Sequence, residues 1–128
     1  MDSLETFSHA PYVSLRTYRK SGASVDTPVW CAAHNDALYV FSAGNAGKVK
    51  RLRNSSQAQL AVCDVRGNLL GDWQDACGSV ITDESTIQLS LQALRKKYGW
   101  QMRMADVGSK LTGKFDKRAY LRVELKGH

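Results

Sequence analysis

The chain has 128 residues, a net charge of +6 and 43% hydrophobic residues, which suits one globular domain with a real core and excludes two. No apolar stretch approaches the roughly 18 residues that a membrane span needs, and the N-terminus carries no signal-peptide pattern, so a cytoplasmic protein with no membrane partner is expected. Cys31, Cys63 and Cys77 are odd in number and make no C-x-x-C pair. They predict reduced, buried thiols, with neither a disulfide frame nor a bound metal.

Taken in order, the first β-rich run is Tyr12–Tyr18, which ends at the turn Lys20–Gly22. Val25–Ala33 follows as a second strand with Pro28 in its middle. A proline cannot donate to a ladder, so this strand is expected to bulge or to lie at an opening in the sheet. His34–Asp36 turns the chain into Ala37–Ser42. Further strands are predicted over Gln59–Val65, Cys77–Thr82 and Arg118–Leu125. One helix is well signed: Ser85 and Gln88 form a capping box, and Ile87, Leu91, Leu94 and Tyr98 recur at helical spacing up to Gly99. A short second helix is predicted over Trp100–Ala105. About six hairpin-connected strands with helices late in the chain point to an α+β fold: an antiparallel barrel or sheet with flanking helices.

The richest chemistry lies at Gly47-Lys48-Val49-Lys50-Arg51-Leu52-Arg53-Asn54. It follows the strand Leu38–Phe41 and the small-residue turn Ser42–Ala46. A strand, a small turn and a helix that opens with lysine present backbone N–H groups and cations to a phosphate. Val49 and Leu52 stand three apart and are expected to face inward, while Lys48 and Arg51 share a neighbouring face and can hold one anion together. A solvated helix face is the plain alternative. A Walker loop is excluded on spacing, since two residues separate Gly44 from Gly47 where the motif needs four, and Val49 stands in place of the magnesium-binding hydroxyl.

Charge is uneven along the chain. Residues 64–94 hold one Lys/Arg against five Asp/Glu, and residues 95–128 hold ten against three. The basic last third suits an anionic cofactor, nucleic acid or a solvated surface.

Three blocks carry a resemblance to a known family: Tyr12–Trp30, Leu38–Asn54 and Ala61–Gly71, with Leu94–Trp100 and Tyr120–Leu125 agreeing in order and spacing. The chain resembles the pyridoxamine-5′-phosphate-oxidase-like family of flavin-binding split β-barrels, and within it a branch of small deazaflavin-dependent proteins. The resemblance implies a homodimer with cofactor sites at the subunit interface. It also implies FMN or the deazaflavin coenzyme F-420, and two-electron redox chemistry on a small-molecule substrate. By position, Lys48 would be the main phosphate-binding cation, supported by Ser42 and by Lys50 or Arg51. Thr27, Pro28 and Val29 would run along the flavin ring, and Arg16 and Thr17 would face the same cleft. Relatives usually carry a further hydroxyl or cation where this chain has Ala43 and Ala46, which predicts a weaker phosphate grip. Equal numbers of Lys and Arg, nine each, tip the expectation towards FMN over the deazaflavin.

No catalytic side chain is assigned. His9, His34 and His128 make no metal-ligand spacing, and a flavin brings its own hydride chemistry. Trp73 and Trp100 suit a flavin cap, but core or dimer packing is the simpler role. Two other classes stay open: a binding module that holds flavin or haem without turnover, and a nucleic-acid-binding small barrel. The second ranks last, because no strand alternates exposed cations with aromatics.

Overall fold

Seven antiparallel strands form one curled sheet in the order β2-β1-β5-β6-β7-β4-β3. They are β1 (Val13–Tyr18), β2 (Ser24–Val29), β3 (Ala32–His34), β4 (Ala37–Ala43), β5 (Gln57–Val62), β6 (Gln74–Val80) and β7 (Arg118–Leu125). The computed structural model describes residues 3–44, 46–114 and 117–126; Asn45, in the predicted turn, and His128 lie outside them. Four helices occur among the described residues: α1 (Ser3–His9), α2 (Gly47–Asn54), α3 (Glu84–Tyr98) and α4 (Trp100–Leu111). This is the expected α+β split barrel. No described helix is long and apolar enough to cross a membrane.

Strand alternation sorts the side chains. Val13, Leu15, Leu38, Val40, Leu60, Leu121 and Val123 project to the concave face and form one core. α2 caps that core with Val49 (fully buried) and Leu52, as their spacing predicts, and α1 contributes Phe7. On the convex face, Leu91, Leu94 and Tyr98 of α3 and Met102 of α4 pack over Ala32 and Tyr120 in a second core.

The predicted strand Val25–Ala33 is two strands, β2 and β3, broken at Trp30–Cys31. Pro28 fits because β2 is a sheet edge, pairing with β1 alone. The cap of α3 is also corrected. Asp83, not Ser85, accepts from Thr86 N–H at 2.9 Å, and Ser85 Oγ donates to the same carboxylate. A carboxylate outcompetes a hydroxyl at the positive end of a helix. Gly99, with φ 59°, ends α3 as expected. The second helix is longer than predicted and reaches Leu111.

The last turn of α3 ties the N-terminal segment down. Lys97 Nζ donates to the carbonyls of Ala10 (2.7 Å) and Cys31 (2.5 Å), and more distantly to that of Phe7. Tyr98 Oη donates to the Pro11 carbonyl (2.9 Å) and accepts from Cys31 N–H (3.0 Å). These bonds satisfy backbone carbonyls just past α1 and at the break between β2 and β3. The Tyr98 ring stacks on Trp30 at 4.5 Å.

Candidate functional site

β3 covers only the first half of β4, from Ala37 to Tyr39. Beyond it, Val40–Ala43 pair with β7 on one side, and among the described residues with nothing on the other. β2 has an unpaired outer edge as well. Two open backbone edges therefore border the split in the barrel. The chain leaves β4 through Ala43–Ala46 and enters α2, where Ala46 N–H donates to Ala43 C=O at 3.0 Å. Gly44 is needed in this turn because it lies against β7: its N–H donates to Lys117 C=O at 2.9 Å, and a Cβ there would collide with that oxygen.

α2 begins without a side-chain cap and without an acidic residue in its first turn. Among the described residues the N–H groups of Gly47 and Lys48, at the positive dipole end, are thus left for another acceptor. Lys48 is half-buried, and burial, with the Arg51 charge behind it, pushes its ammonium pKa down. Arg51 is half-buried too; burial and then the charge of Arg19 lower its pKa. Its Nε donates to Thr17 Oγ1 at 2.6 Å, and its guanidinium folds back over Gly47, where a Cβ would stand 2.6 Å from Nη1. Among the described residues neither Lys48 nor Arg51 has a carboxylate within ion-pair distance. Two cations are held together and partly dried, with no acid to balance them. That arrangement favours a bound anion.

The other expected site residues divide by face. Ser42 lies on the concave face, in register with Ala119 and buried. Thr17 is fully buried on the same face, and its cross-strand neighbour is Val25. Thr27 and Val29 follow along that face of β2. Pro28 points the other way, towards Gly67, where an added Cβ would stand 3.8 Å from the proline ring. The shared cleft expected for Arg16 and Thr17 is corrected, because adjacent strand residues project to opposite faces. Arg16 forks onto Asp26 (2.7 and 3.0 Å), reaches Gln59 (3.3 Å) and lies 3.8 Å from the centroid of the Trp73 ring. The bond to Asp26 raises its pKa. Lys50 is exposed on α2, so Arg51 is the partner of Lys48.

A cleft of about 520 Å³ opens along the free edge of β4, lined by Phe41, Ser42, Gly44, Ser109, Lys114 and Lys117 among others. Arg118 forms its wall, with its guanidinium over Phe41 and bonded to Asp106 and Ser109. Sequence reading missed this wall. Lys117 and Arg118 reach the turn only through the β4–β7 pairing, which leaves no local signal. Among the described residues no cluster of His, Cys, Asp and Glu is arranged to hold a metal.

No protein-family model matches the sequence, and no curated protein matches it either. Solved structures do. The heme storage protein HutZ of Vibrio cholerae superposes with a TM-score of 0.71 at 10% identity, over 98% of this chain and 89% of that one. A candidate pyridoxamine 5′-phosphate oxidase from Listeria innocua gives 0.64 at 12%, over 97% and 90%. A FAD-binding protein from Mesorhizobium loti gives 0.64 at 14%, over 98% and 89%. At such identities it is the fold that is common to them. The chain therefore has an α+β split-barrel fold, which it shares with these solved structures.

Proposed function

We propose that the protein is a flavin-binding oxidoreductase that acts as a homodimer on a small-molecule substrate, with FMN as its cofactor and the deazaflavin coenzyme F-420 as the alternative. The observation that carries this reading is the Lys48–Arg51 pair at the uncapped start of α2. These residues fit a cofactor phosphate: two cations and free helix N–H groups converge where no described acid competes. Thr17 fixes the Arg51 guanidinium. Ser42 supplies a hydroxyl at the turn, and the open edge of β2 at Thr27–Val29 offers backbone groups to a flat heteroaromatic ring. A bound flavin would supply the two-electron chemistry, while the chain binds, orients and shields it.

Two observations rank the alternatives lower. A haem needs an axial ligand, yet His34 lines a different cleft, with Ser85 and Gln92 of α3, and His9 is exposed beside Glu5. Nucleic acid needs a field of available cations. In the basic last third, Arg95 and Arg118 share Asp106, Lys97 is bonded to carbonyls, and Arg122 pairs with Glu124.

An absorption spectrum of purified protein, with titrations of FMN, coenzyme F-420 and haem, tests the reading. Flavin absorbance near roughly 450 nm, or roughly 420 nm for the deazaflavin, together with saturable binding supports it. Absence of affinity for both flavins, with haem bound instead, overturns it.

A further inference from the structure

The cleft along the free edge of β4, at about 520 Å³, falls within the roughly 300–1,000 Å³ of small-molecule sites. Phe41 gives it an apolar wall. Two neighbours hold that ring: Trp30 meets it edge-on at 6.1 Å between centroids, and the Arg118 guanidinium lies 4.6 Å from its centroid. Ser42, Ser109, Lys114 and Lys117 add polar and cationic groups to the lining.

Backbone bonds fix where the two lysines stand. Lys114 N–H donates to Ser109 C=O (2.8 Å), Lys117 N–H donates to Lys114 C=O (3.1 Å), and Lys117 C=O accepts from Gly44 N–H (2.9 Å). Asp106, the carboxylate bonded to the Arg118 wall, is buried and shared with Arg95. Among the described residues neither Lys114 nor Lys117 has a carboxylate within ion-pair distance. Two positioned cations without an acid, beside an aromatic wall, match an organic anion: the lysines meet its charge and the ring meets its body.

The place of the cleft gives it a role. Ala43 and Gly44 line it, and Gly47 opens α2 three residues after Gly44. Other clefts lie at the far end of α2 or over α3. The flavin ring is proposed to lie along the β2 edge, and the β4 edge that this cleft follows borders the same split. A substrate must lie against the ring for electrons to pass. We infer that the β4 cleft is the substrate pocket and takes a small organic anion, a carboxylate or phosphate on an apolar body, with Lys114 and Lys117 holding the anionic group against the Phe41 wall. The role as substrate pocket rests on the proposed flavin site; the binding of an organic anion does not.

Titration with benzoate, phenyl phosphate and the neutral isostere benzamide tests it, on FMN-loaded and on flavin-free protein, read by calorimetry and by backbone amide NMR shifts. The anions should bind saturably, the better of the two at least about tenfold tighter than benzamide, and should shift Gly44 and Ser109 rather than Gly47 and Lys48. Which anion binds tighter tells carboxylate from phosphate. The double variant Lys114→Met/Lys117→Met keeps the backbone bond to Gly44. It should cost the anions about tenfold and leave benzamide and FMN affinity unchanged. Lys114→Arg/Lys117→Arg keeps both charges and should keep anion binding, and it carries the test if the methionine variant does not fold. Benzamide bound as tightly as the anions, anion affinity intact in the methionine variant, shifts confined to α2, or FMN affinity lost together with anion affinity would each overturn the inference. FMN binding with no affinity for either anion removes this pocket alone. Anions bound as expected by a protein that binds no flavin keep the pocket and remove the flavin reading.

Discussion

Arg51 is held by Thr17: the guanidinium Nε donates across 2.6 Å to a hydroxyl that is itself fully buried on β1. α2 is thereby pinned to the concave face, and Arg51 stays beside Lys48. Thr17→Val keeps the shape and removes the acceptor, so FMN affinity should fall about three- to tenfold, the worth of one ordinary hydrogen bond. Lys48→Ala removes a charged contact and should cost about ten- to a hundredfold. Calorimetric titration of both variants checks the order. Equal affinity in Lys48→Ala and wild type would return the basic run to a solvated helix face.

Asp106 holds two elements at once. Its carboxylate bonds Arg95 of α3 (2.9 Å) and Arg118 of β7 (2.8 Å), and the Arg118 side chain is only 4% exposed. Asp106→Ala removes the carboxylate that Arg95 and the buried Arg118 share, which should destabilise the fold by about 3–5 kcal/mol. Urea unfolding measures this; a loss below about 1 kcal/mol would mean that water reaches Arg118 freely.

Burial pushes the Cys31 thiol up to about 11 from 9.0, against the opposing charge of Lys97. Below pH 9 the thiol is protonated in both the folded and the unfolded chain. Between 9 and 11 the unfolded chain alone ionises, so stability is full below pH 9 and declines as pH rises towards 11, by about 1.4 kcal/mol per unit. Denaturant midpoints at pH 8 and pH 10 should separate in wild type and draw together in Cys31→Ala. Parallel falls in both proteins would assign the loss to other groups.

Gly44→Ala should be costly for a reason unrelated to φ. The new methyl would meet the Lys117 carbonyl, and the turn that leads to Lys48 would have to move off β7. Stability should fall by about 1–3 kcal/mol, and FMN affinity should fall with it. Gly108→Ala is the contrast. It lies inside α4, where an added Cβ would meet open space, and should gain up to about 1 kcal/mol from helix propensity. Thermal unfolding of the pair decides; equal Tm values would refute the close-approach argument.

Local signals carried much of the fold. Alternating strands, the Val49–Leu52 spacing and the stop at Gly99 were all legible, and Pro28 marked a sheet opening that proved to be an edge. The break at Trp30–Cys31 was not, since both halves of Val25–Ala33 are equally β-prone and only the curl of the sheet separates them. α1 carried too weak a pattern to read. At the site, the Lys48–Arg51 face followed from helical spacing, but the role of Thr17 depends on a contact 34 positions away. The opposite facing of Arg16 follows from strand parity alone and was open to sequence reading. Lys117 was beyond it, because nothing local joins that residue to Gly44.

The Lys97 clamp sets an order of events during synthesis. The carbonyls of Phe7, Ala10, Pro11 and Cys31 wait for an ammonium and a phenol that lie 66 to 90 positions downstream. The first helix therefore emerges from the ribosome long before its anchor exists. Contacts of such separation form late, because the intervening chain must first be organised. The amino-terminal segment therefore locks late, and its protection from a protease during translation should appear only once residue 98 has cleared the exit tunnel.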